Sequence, residues 1–171
     1  MKFFKILATV LLACIVLFFI VGSFLPKTAT FEKEYTVDAP ADLVEKKILD
    51  LYEDHLWPIW DSEDTSIVYT DFPGELGYTW EGDKVGLGEC IVNIKTDMSI
   101  EDIITYQGQE MAKTLWQIIP GEKTKIRISF TVFADKNISA RWTNLFLDNL
   151  MGNEFNQIIT EMKTTLENTK F

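Results

Sequence analysis

The residues of this sequence that could act on another molecule are mainly aromatic. Tyr78, Trp80, Tyr106 and Trp116 lie in segments where apolar and polar residues alternate, a pattern that predicts β-strands. Aromatic rings on one face of a sheet can line a cavity and stack on a flat apolar ligand. The alternative is that these rings fill an ordinary core, because a cavity wall and a core have the same composition.

Few titratable residues have the partners that catalysis requires. His55 is the only histidine, and it is either a base poised by Glu53 and Asp54 or a solvated loop residue. Cys90 has no basic neighbour in the sequence, which favours a small buried hydrophobic residue over a nucleophile. One histidine and two distant cysteines, Cys14 and Cys90, predict no metal site and no disulfide framework. We therefore predict no metal and no cofactor.

The charge of the chain excludes some classes of partner. The 171 residues carry a formal charge of −10. Residues 1–26 contain two lysines and no acid, so residues 27–171 carry 14 basic and 26 acidic side chains, a net charge of −12. Nucleic-acid binding depends on clustered lysine and arginine, so this balance argues against a nucleic-acid partner. It argues equally against peripheral binding to anionic lipid.

The amino-terminal segment has the length and composition of a membrane anchor. Ile6 to Phe24 is a run of 19 uncharged residues, and as a helix it would be about 28 Å long, close to the hydrocarbon thickness of a bilayer. We predict one transmembrane helix within residues 1–26 and a separate domain at 27–171. Six linking residues, Leu25 to Thr30, would reach at most about 20 Å.

Two alternatives to a retained anchor are a cleaved signal peptide and a lipoprotein signal. The segment Leu11-Leu12-Ala13-Cys14 resembles a lipobox, although the apolar run continues beyond the cysteine. If the anchor is retained, Lys2 and Lys5 before it favour an inside amino terminus. This orientation predicts a single-pass membrane protein whose domain is extracytoplasmic.

The carboxyl-terminal segment from Ser139 to Glu167 predicts a long amphipathic helix, with Ser139 as the N-cap and a possible bend at Gly152. Its apolar residues recur at three- and four-residue steps: Trp142, Leu145, Phe146, Met151, Phe155, Ile158, Ile159, Met162 and Leu166. Arg141, Asp148, Asn149, Glu154, Gln157, Glu161 and Lys163 form the predicted polar side. A helix this long cannot bury such a stripe against itself, so another element must cover it.

The residues before this helix predict a sheet. A strand from Phe31 to Val37 is followed by a helix that opens at Pro40. Further strands are predicted at 66–70, 76–81, 86–96, 100–107, 111–119 and 123–133, separated by residues typical of turns. The predicted fold class is α+β, a curved antiparallel sheet wrapped around the long carboxyl-terminal helix and preceded by one transmembrane helix.

Several short motifs accompany this order of elements: Val37-Asp38-Ala39-Pro40 with Val44, Trp57-Pro58-Ile59-Trp60, Gly77-Tyr78-Thr79-Trp80-Glu81-Gly82, Val85-Gly86-Leu87-Gly88, and Leu150-Met151-Gly152 with Phe155. Together, the element order and these motifs resemble the helix-grip fold of the START-like (SRPBCC) superfamily. The resemblance runs from about Thr30 to Glu167 and is closest to the polyketide cyclase/dehydrase and lipid-transport group. Two features depart from the family, namely Glu45 in place of a bulky aromatic residue and the anchor itself.

The resemblance implies an apolar cavity between the sheet and the last helix. We therefore expect a membrane-anchored domain that binds a hydrophobic small molecule or lipid, with the cavity mouth near Trp57 and Trp60. The alternatives are a cyclase/dehydratase-type enzyme with tyrosine or carboxylate residues in the cavity, and a ligand-free protein-interaction accessory domain. The candidate cavity residues are Trp57, Trp60, Tyr78, Trp80, Tyr106, Trp116, Met151 and Phe155.

Overall fold

The computed structural model describes residues 2–57, 64–96, 98–135 and 137–167, with Lys95 described by its backbone alone. The helices are α1 (Lys2–Phe24), α2 (Ala41–Glu53), α3 (Ile138–Asn144) and α4 (Leu147–Glu167). The strands are β1 (Thr28–Val37), β2 (Val68–Asp71), β3 (Gly77–Gly82), β4 (Gly86–Thr96), β5 (Ser99–Tyr106), β6 (Gln109–Ile119) and β7 (Thr124–Phe133).

The seven strands form one antiparallel sheet in the order β1-β7-β6-β5-β4-β3-β2. From β2 to β7, neighbours in sequence are neighbours in space, while β1 pairs with β7 along its whole length. The β5–β6 hairpin turns at Gln107 and Gly108, whose φ angles are 51° and 73°. Positive φ at both turn residues gives the strands the twist that a tight hairpin needs. The predicted α+β fold class with its antiparallel sheet is confirmed.

One face of this sheet is covered by α2 and α4. The amphipathic pattern of α2 buries Val44, Ile48, Leu51 and Tyr52. From α4, Phe155 points onto the sheet and is fully buried. Asn156 fastens α4 to β1, since its Oδ1 accepts hydrogen bonds from Lys33 Nζ and Tyr35 Oη, both at 3.0 Å.

The predicted single helix from Ser139 to Glu167 is wrong in one respect, because it is divided into α3 and α4. The N–H groups of Leu145 and Phe146 donate to carbonyls three residues back, at 3.3 and 2.9 Å, which interrupts the α-helical pattern. The N-cap of α3 is Asn137, whose side chain accepts from Ala140 N, and not Ser139. In contrast, α4 runs through Gly152 without a break.

The division changes the surroundings of several residues. Arg141, predicted on the polar side, is 8% exposed, whereas Leu145 and Phe146, predicted in the buried stripe, are 53% and 59% exposed. Trp142 stacks on Phe18 of α1. The reason is that α3 packs against α1, so its inward face differs from that of α4.

The connection between α1 and the sheet is shorter than predicted. α1 ends at Phe24 and β1 begins at Thr28, which leaves three residues, Leu25 to Lys27. In addition, Arg141 Nη1 donates to the carbonyl oxygen of Ser23 at 3.1 Å. The end of α1 is therefore in direct contact with the domain and is not held on a six-residue tether.

Candidate functional site

The space between the sheet and α4 contains a cluster of aromatic rings centred on Phe155. Its ring centroid lies 4.8 Å from that of Trp57, 5.4 Å from Phe31, 5.6 Å from Trp116 and 5.9 Å from Phe130. These residues come from α4, the residues after α2, and strands β1, β6 and β7. We call this cluster the aromatic interior. It brings together three of the predicted site residues, Trp57, Trp116 and Phe155.

A buried carboxyl group forms the polar part of the aromatic interior. Asp102 on β5 is 0% exposed, and its Oδ2 accepts hydrogen bonds from Tyr52 Oη at 2.6 Å and from Trp57 Nε1 at 3.3 Å. Trp116 Nε1 in turn donates to Tyr52 Oη at 2.7 Å. Thr114 lies directly opposite Asp102 in the β5–β6 register. Residues of α2, of the segment after it and of β6 thus lie around the Asp102 carboxyl group of β5.

Burial decides the protonation of this group. It raises the pKa of Asp102 to about 6, although the hydrogen bonds from Tyr52 and Trp57 act in the opposite direction. Burial, followed by the charge of Asp102, also raises the pKa of Tyr52 well above its usual value. A carboxyl group that titrates near neutral pH beside a tyrosine hydroxyl can accept or donate a proton under physiological conditions.

Asp102 was not among the predicted site residues. It occupies an inward position between the buried residues Ile100 and Ile104 of an alternating strand. A carboxylate at an apolar position of such an alternation was the available signal, because an ionised group at that position needs specific partners. Its partners Tyr52 and Trp57 are 50 and 45 residues away in the chain, so only the tertiary structure identifies them.

Tyr78 and Trp80 on β3 continue the aromatic interior toward the other edge of the sheet. Both are buried, their ring centroids lie 6.4 Å apart, and Tyr78 Oη donates to the backbone carbonyl of Trp57. Trp80 covers Gly88 of β4, where an added Cβ would lie 2.1 Å from the indole ring. The close contact explains why a glycine stands opposite Trp80 in the β3–β4 pair.

The remaining predicted site residues lie apart from Phe155 or outside the described residues. Tyr106 is partly buried beside Gly86, near the hairpin end of β5. Met151 is partly buried and packs against the core. Trp60 lies outside the described residues.

The side chain of His55 contacts two tyrosine rings and one acidic residue, Asp71, which is 16 residues away in the sequence. Its ring stacks on Tyr69 at 4.6 Å and meets the edge of Tyr78 at the same distance. Its Nε2 lies 2.8 Å from Asp71 Oδ1. Cys90, in contrast, is fully buried near Asp102, and burial raises the pKa of its thiol far above the usual value. A thiol held in this neutral form is a poor nucleophile.

The described residues offer no metal site, and an open cleft lies away from the aromatic interior. Within residues 2–57, 64–96, 98–135 and 137–167, no three His, Cys, Asp or Glu side chains come together as a metal site. A cleft of about 690 Å³ lies outside the aromatic interior, between Phe19 of α1, Gln109 and Glu110 of β6, and Ile138 and Ser139 of α3. The cleft has both polar and apolar walls.

Solved structures with the same architecture exist at low sequence identity. The chain superimposes on a START superfamily protein from Mycobacterium smegmatis with a TM-score of 0.55 and 12% identity, covering 82% of this chain and 99% of the other. For norcoclaurine synthase from Thalictrum flavum, solved with dopamine and hydroxybenzaldehyde, the TM-score is 0.57 at 12% identity, covering 84% and 90%.

A third similar structure is the di-domain ARO/CYC protein BexL from the BE-7585A biosynthetic pathway. Its TM-score is 0.57 at 14% identity, and the match covers 84% of this chain but only 52% of BexL. The sequence itself matches no family model, and no curated protein is detectably similar to it. At these identities the comparisons show the fold alone. With its seven-stranded sheet order, α2 and α4, the chain has the helix-grip fold of START-like (SRPBCC) proteins, as its sequence motifs predicted.

Proposed function

We propose that this protein is a membrane-anchored START-like domain that binds a hydrophobic small molecule or lipid between the sheet and α4. The observation that carries the proposal is the aromatic interior, in which four rings pack around Phe155 and one of them, Trp57, also donates a hydrogen bond to the buried carboxyl group of Asp102. Apolar walls with a single polar group are typical of small-molecule sites. Norcoclaurine synthase, which shares the fold, was solved with two small aromatic molecules.

Trp57 occupies the position that a ligand would take. Its indole ring lies among Phe155, Phe130 and Trp116 at centroid distances of 4.8, 5.8 and 6.4 Å. Its Nε1 hydrogen bond to Asp102, at 3.3 Å, is longer than the 2.6 Å hydrogen bond that Tyr52 Oη donates to the same oxygen. A ligand with an aromatic or ring-shaped apolar part would replace the indole, and its polar end would bind Asp102 and Tyr52.

The contacts of α1 support a retained anchor over a cleaved signal peptide. α1 is an uncharged helix over most of its 23 residues and is long enough to cross a bilayer. Gly22 is buried against Ile138 and Trp142, and Ser23 accepts a hydrogen bond from Arg141. Removal of α1 would uncover these side chains and leave part of a buried guanidinium unsatisfied, which is unfavourable.

Separate observations favour the two alternative functions. The pKa of about 6 for Asp102, beside the Tyr52 hydroxyl, favours an enzyme that uses acid–base chemistry, because a general base works best when its pKa is near the ambient pH. The occupation of the aromatic interior by Trp57 favours a ligand-free accessory domain. These alternatives give different results in the same experiment.

The test is native mass spectrometry of the full-length protein extracted in mild detergent, before and after addition of a fatty acid and of a sterol. Binding between sheet and α4 predicts a bound apolar molecule. Trp57→Ala, which removes the indole, should increase the bound fraction, whereas Leu87→Ala on the exposed surface should not change it. If neither the wild type nor Trp57→Ala retains any apolar molecule, the accessory function is the correct one. Chemical conversion of the bound molecule, abolished by Asp102→Asn, would identify an enzyme.

A further inference from the structure

Three large apolar side chains are exposed to solvent where α3 meets α4. Leu145, Phe146 and Leu150 are 53%, 59% and 50% exposed. The N–H of Leu150 donates to the carbonyl of Phe146 at 3.0 Å, so these two residues lie one turn apart on the same side. Apolar residues grouped at one corner of a protein indicate a contact surface. We call these three residues the α3–α4 corner.

α3 connects this corner to α1. The ring of Phe18 stacks on Trp142 at 5.2 Å with an interplanar angle of 14°. A Cβ on Gly22 would come within 2.4 Å of Ile138 Cγ2, so the two helices are in close contact there. α3 therefore lies alongside the last two turns of α1, and the α3–α4 corner follows immediately.

If α1 crosses a membrane, the point at which α3 contacts α1 determines how deep α3 lies in the bilayer. Phe18 precedes Phe24, the end of α1, by six residues, which is about 9 Å along the helix axis. The uncharged run that ends at Phe24 is about as long as the hydrocarbon layer is thick. A helix in contact with Phe18 is then within the leaflet boundary, at the depth of roughly 5–10 Å that interfacial helices occupy.

The charge of this region is compatible with that depth. Arg141 is the only charged residue between positions 137 and 147. Its guanidinium is turned inward, where it donates to the backbone carbonyls of Ser23, Ala134 and Asp135. The outer surface of α3 therefore carries no charged side chain, and the first acidic residue beyond the corner is the exposed Asp148 in the first turn of α4. Attraction between charges cannot hold this domain on anionic lipid, since residues 27–171 carry a net charge of −12.

We propose that the α3–α4 corner inserts its three apolar side chains into the leaflet at the carboxyl end of α1. The surface binds the acyl-chain boundary of a zwitterionic lipid leaflet, with no requirement for anionic headgroups. The inference rests on the proposed function in one respect, namely that α1 spans the membrane. The domain would then contact the membrane at two places, α1 and the α3–α4 corner. Two contacts fix its orientation, with the amino-terminal end of α4 facing the lipid.

The experiment uses the full-length protein in phosphatidylcholine nanodiscs. Cys14 is replaced by alanine, and Cys90 stays in place because it is fully buried. A polarity-sensitive fluorophore is attached in separate variants carrying Phe146→Cys, Leu150→Cys or, as the matched control, Leu87→Cys, since Leu87 is 55% exposed on β4. A variant labelled at native Cys14 reports on α1. The fluorescence of each labelled variant is quenched in separate measurements with aqueous iodide and with a lipid nitroxide placed near the headgroup end of the acyl chains.

Insertion predicts iodide quenching constants at positions 146 and 150 that are at least about threefold lower than at position 87, with strong quenching by the lipid nitroxide. If positions 146 and 150 are as accessible to iodide as position 87 while Cys14 is protected, insertion of the corner is wrong and the anchor remains supported. If Cys14 is also accessible to iodide, both the anchor and the corner proposal are wrong. The mass-spectrometric ligand assay reports on binding in the aromatic interior independently of either result.

Discussion

Burial beside the aromatic interior changes the pH range over which Asp102 titrates. Its folded-state pKa of about 6 lies above the value of about 3.9 expected in the unfolded chain. The folded state therefore binds more protons than the unfolded state between these two values. As the pH rises through this window, the contribution of Asp102 to the free energy of unfolding falls by roughly 3 kcal/mol.

We expect Asp102→Asn to remove this dependence. Relative to the wild type, the variant should gain roughly 3 kcal/mol of stability between about pH 4 and pH 7, because asparagine has no buried charge to form. Chemical denaturation at both pH values measures the difference in free energy of unfolding between the wild type and Asp102→Asn. The contributions of the other carboxylates cancel in this difference, because both proteins contain them. Glu75→Gln, at an exposed position, is the control and should follow the wild type. A constant difference between wild type and Asp102→Asn across the range would show that Asp102 titrates normally.

Phe155 is the residue on which the contact between sheet and α4 depends most. Its ring is fully buried and contacts four other aromatic rings. Phe155→Ala should therefore lower the free energy of unfolding by about 3–5 kcal/mol. Gln157→Ala, on the exposed side of the same helix, should change it by no more than about 0.5 kcal/mol. Equal losses in urea titrations would mean that α4 does not pack as described.

Among the elements, the sheet and α4 respond differently to a larger residue at glycine. A Cβ on Gly88 would lie 2.1 Å from the Trp80 ring, while one on Gly152 would meet Phe31 at an ordinary 3.7 Å. Gly88→Ala should destabilise the protein by about 1–3 kcal/mol through overpacking. Gly152→Ala should stabilise it by about 0.5–1 kcal/mol, because alanine favours the helix. Thermal unfolding of the two variants distinguishes these effects, and shifts of the same sign would contradict this account.

One buried arginine of α3, Arg141, hydrogen-bonds to the end of α1. Arg141 is 8% exposed and donates to three backbone carbonyls, whereas Arg127 is half exposed and pairs with Glu34 on the surface. We expect Arg141→Ala to cost about 1.5–3 kcal/mol and Arg127→Ala less than about 1 kcal/mol. Arg141→Lys should restore only part of the loss, because a single ammonium group cannot reproduce the planar fork of donors.

Chemical denaturation in detergent compares these arginine variants. Full recovery by Arg141→Lys would show that positive charge alone is required and that the three carbonyl contacts are not. Equal losses for the two alanine variants would show that burial at Arg141 has no energetic consequence.

For the whole molecule, the retained anchor predicts a specific behaviour in fractionation. The full-length protein should stay with the membrane through high-salt and carbonate washes, because the uncharged residues of α1 bury their apolar surface in the bilayer. The intact mass of the membrane-bound protein should include α1. Release by carbonate, or a mass that lacks the first 24 residues, would contradict the anchor and support a cleaved signal peptide.

The sequence alone predicts the fold class, the strand positions and the apolar amino-terminal helix. These features are encoded locally, because period-two alternation, turn glycines and an uncharged run each describe neighbouring residues. Local periodicity shows that a residue faces inward, but it does not identify the partner. It could not predict that Trp57 lies against Phe155, or that Tyr52 binds Asp102 50 residues away.

The division of the carboxyl-terminal helix into α3 and α4 also depends on tertiary contacts. The apolar residues of 142–146 and those of 155–166 belong to one periodic pattern in the sequence. In the structure Trp142 stacks on α1, Leu145 and Phe146 are exposed, and the apolar residues of 155–166 are buried. Arg141 is buried because the carbonyl oxygen of Ser23, 118 residues earlier, is available as an acceptor. Such contacts depend on distant parts of the chain meeting, which is why only the folded molecule reveals them.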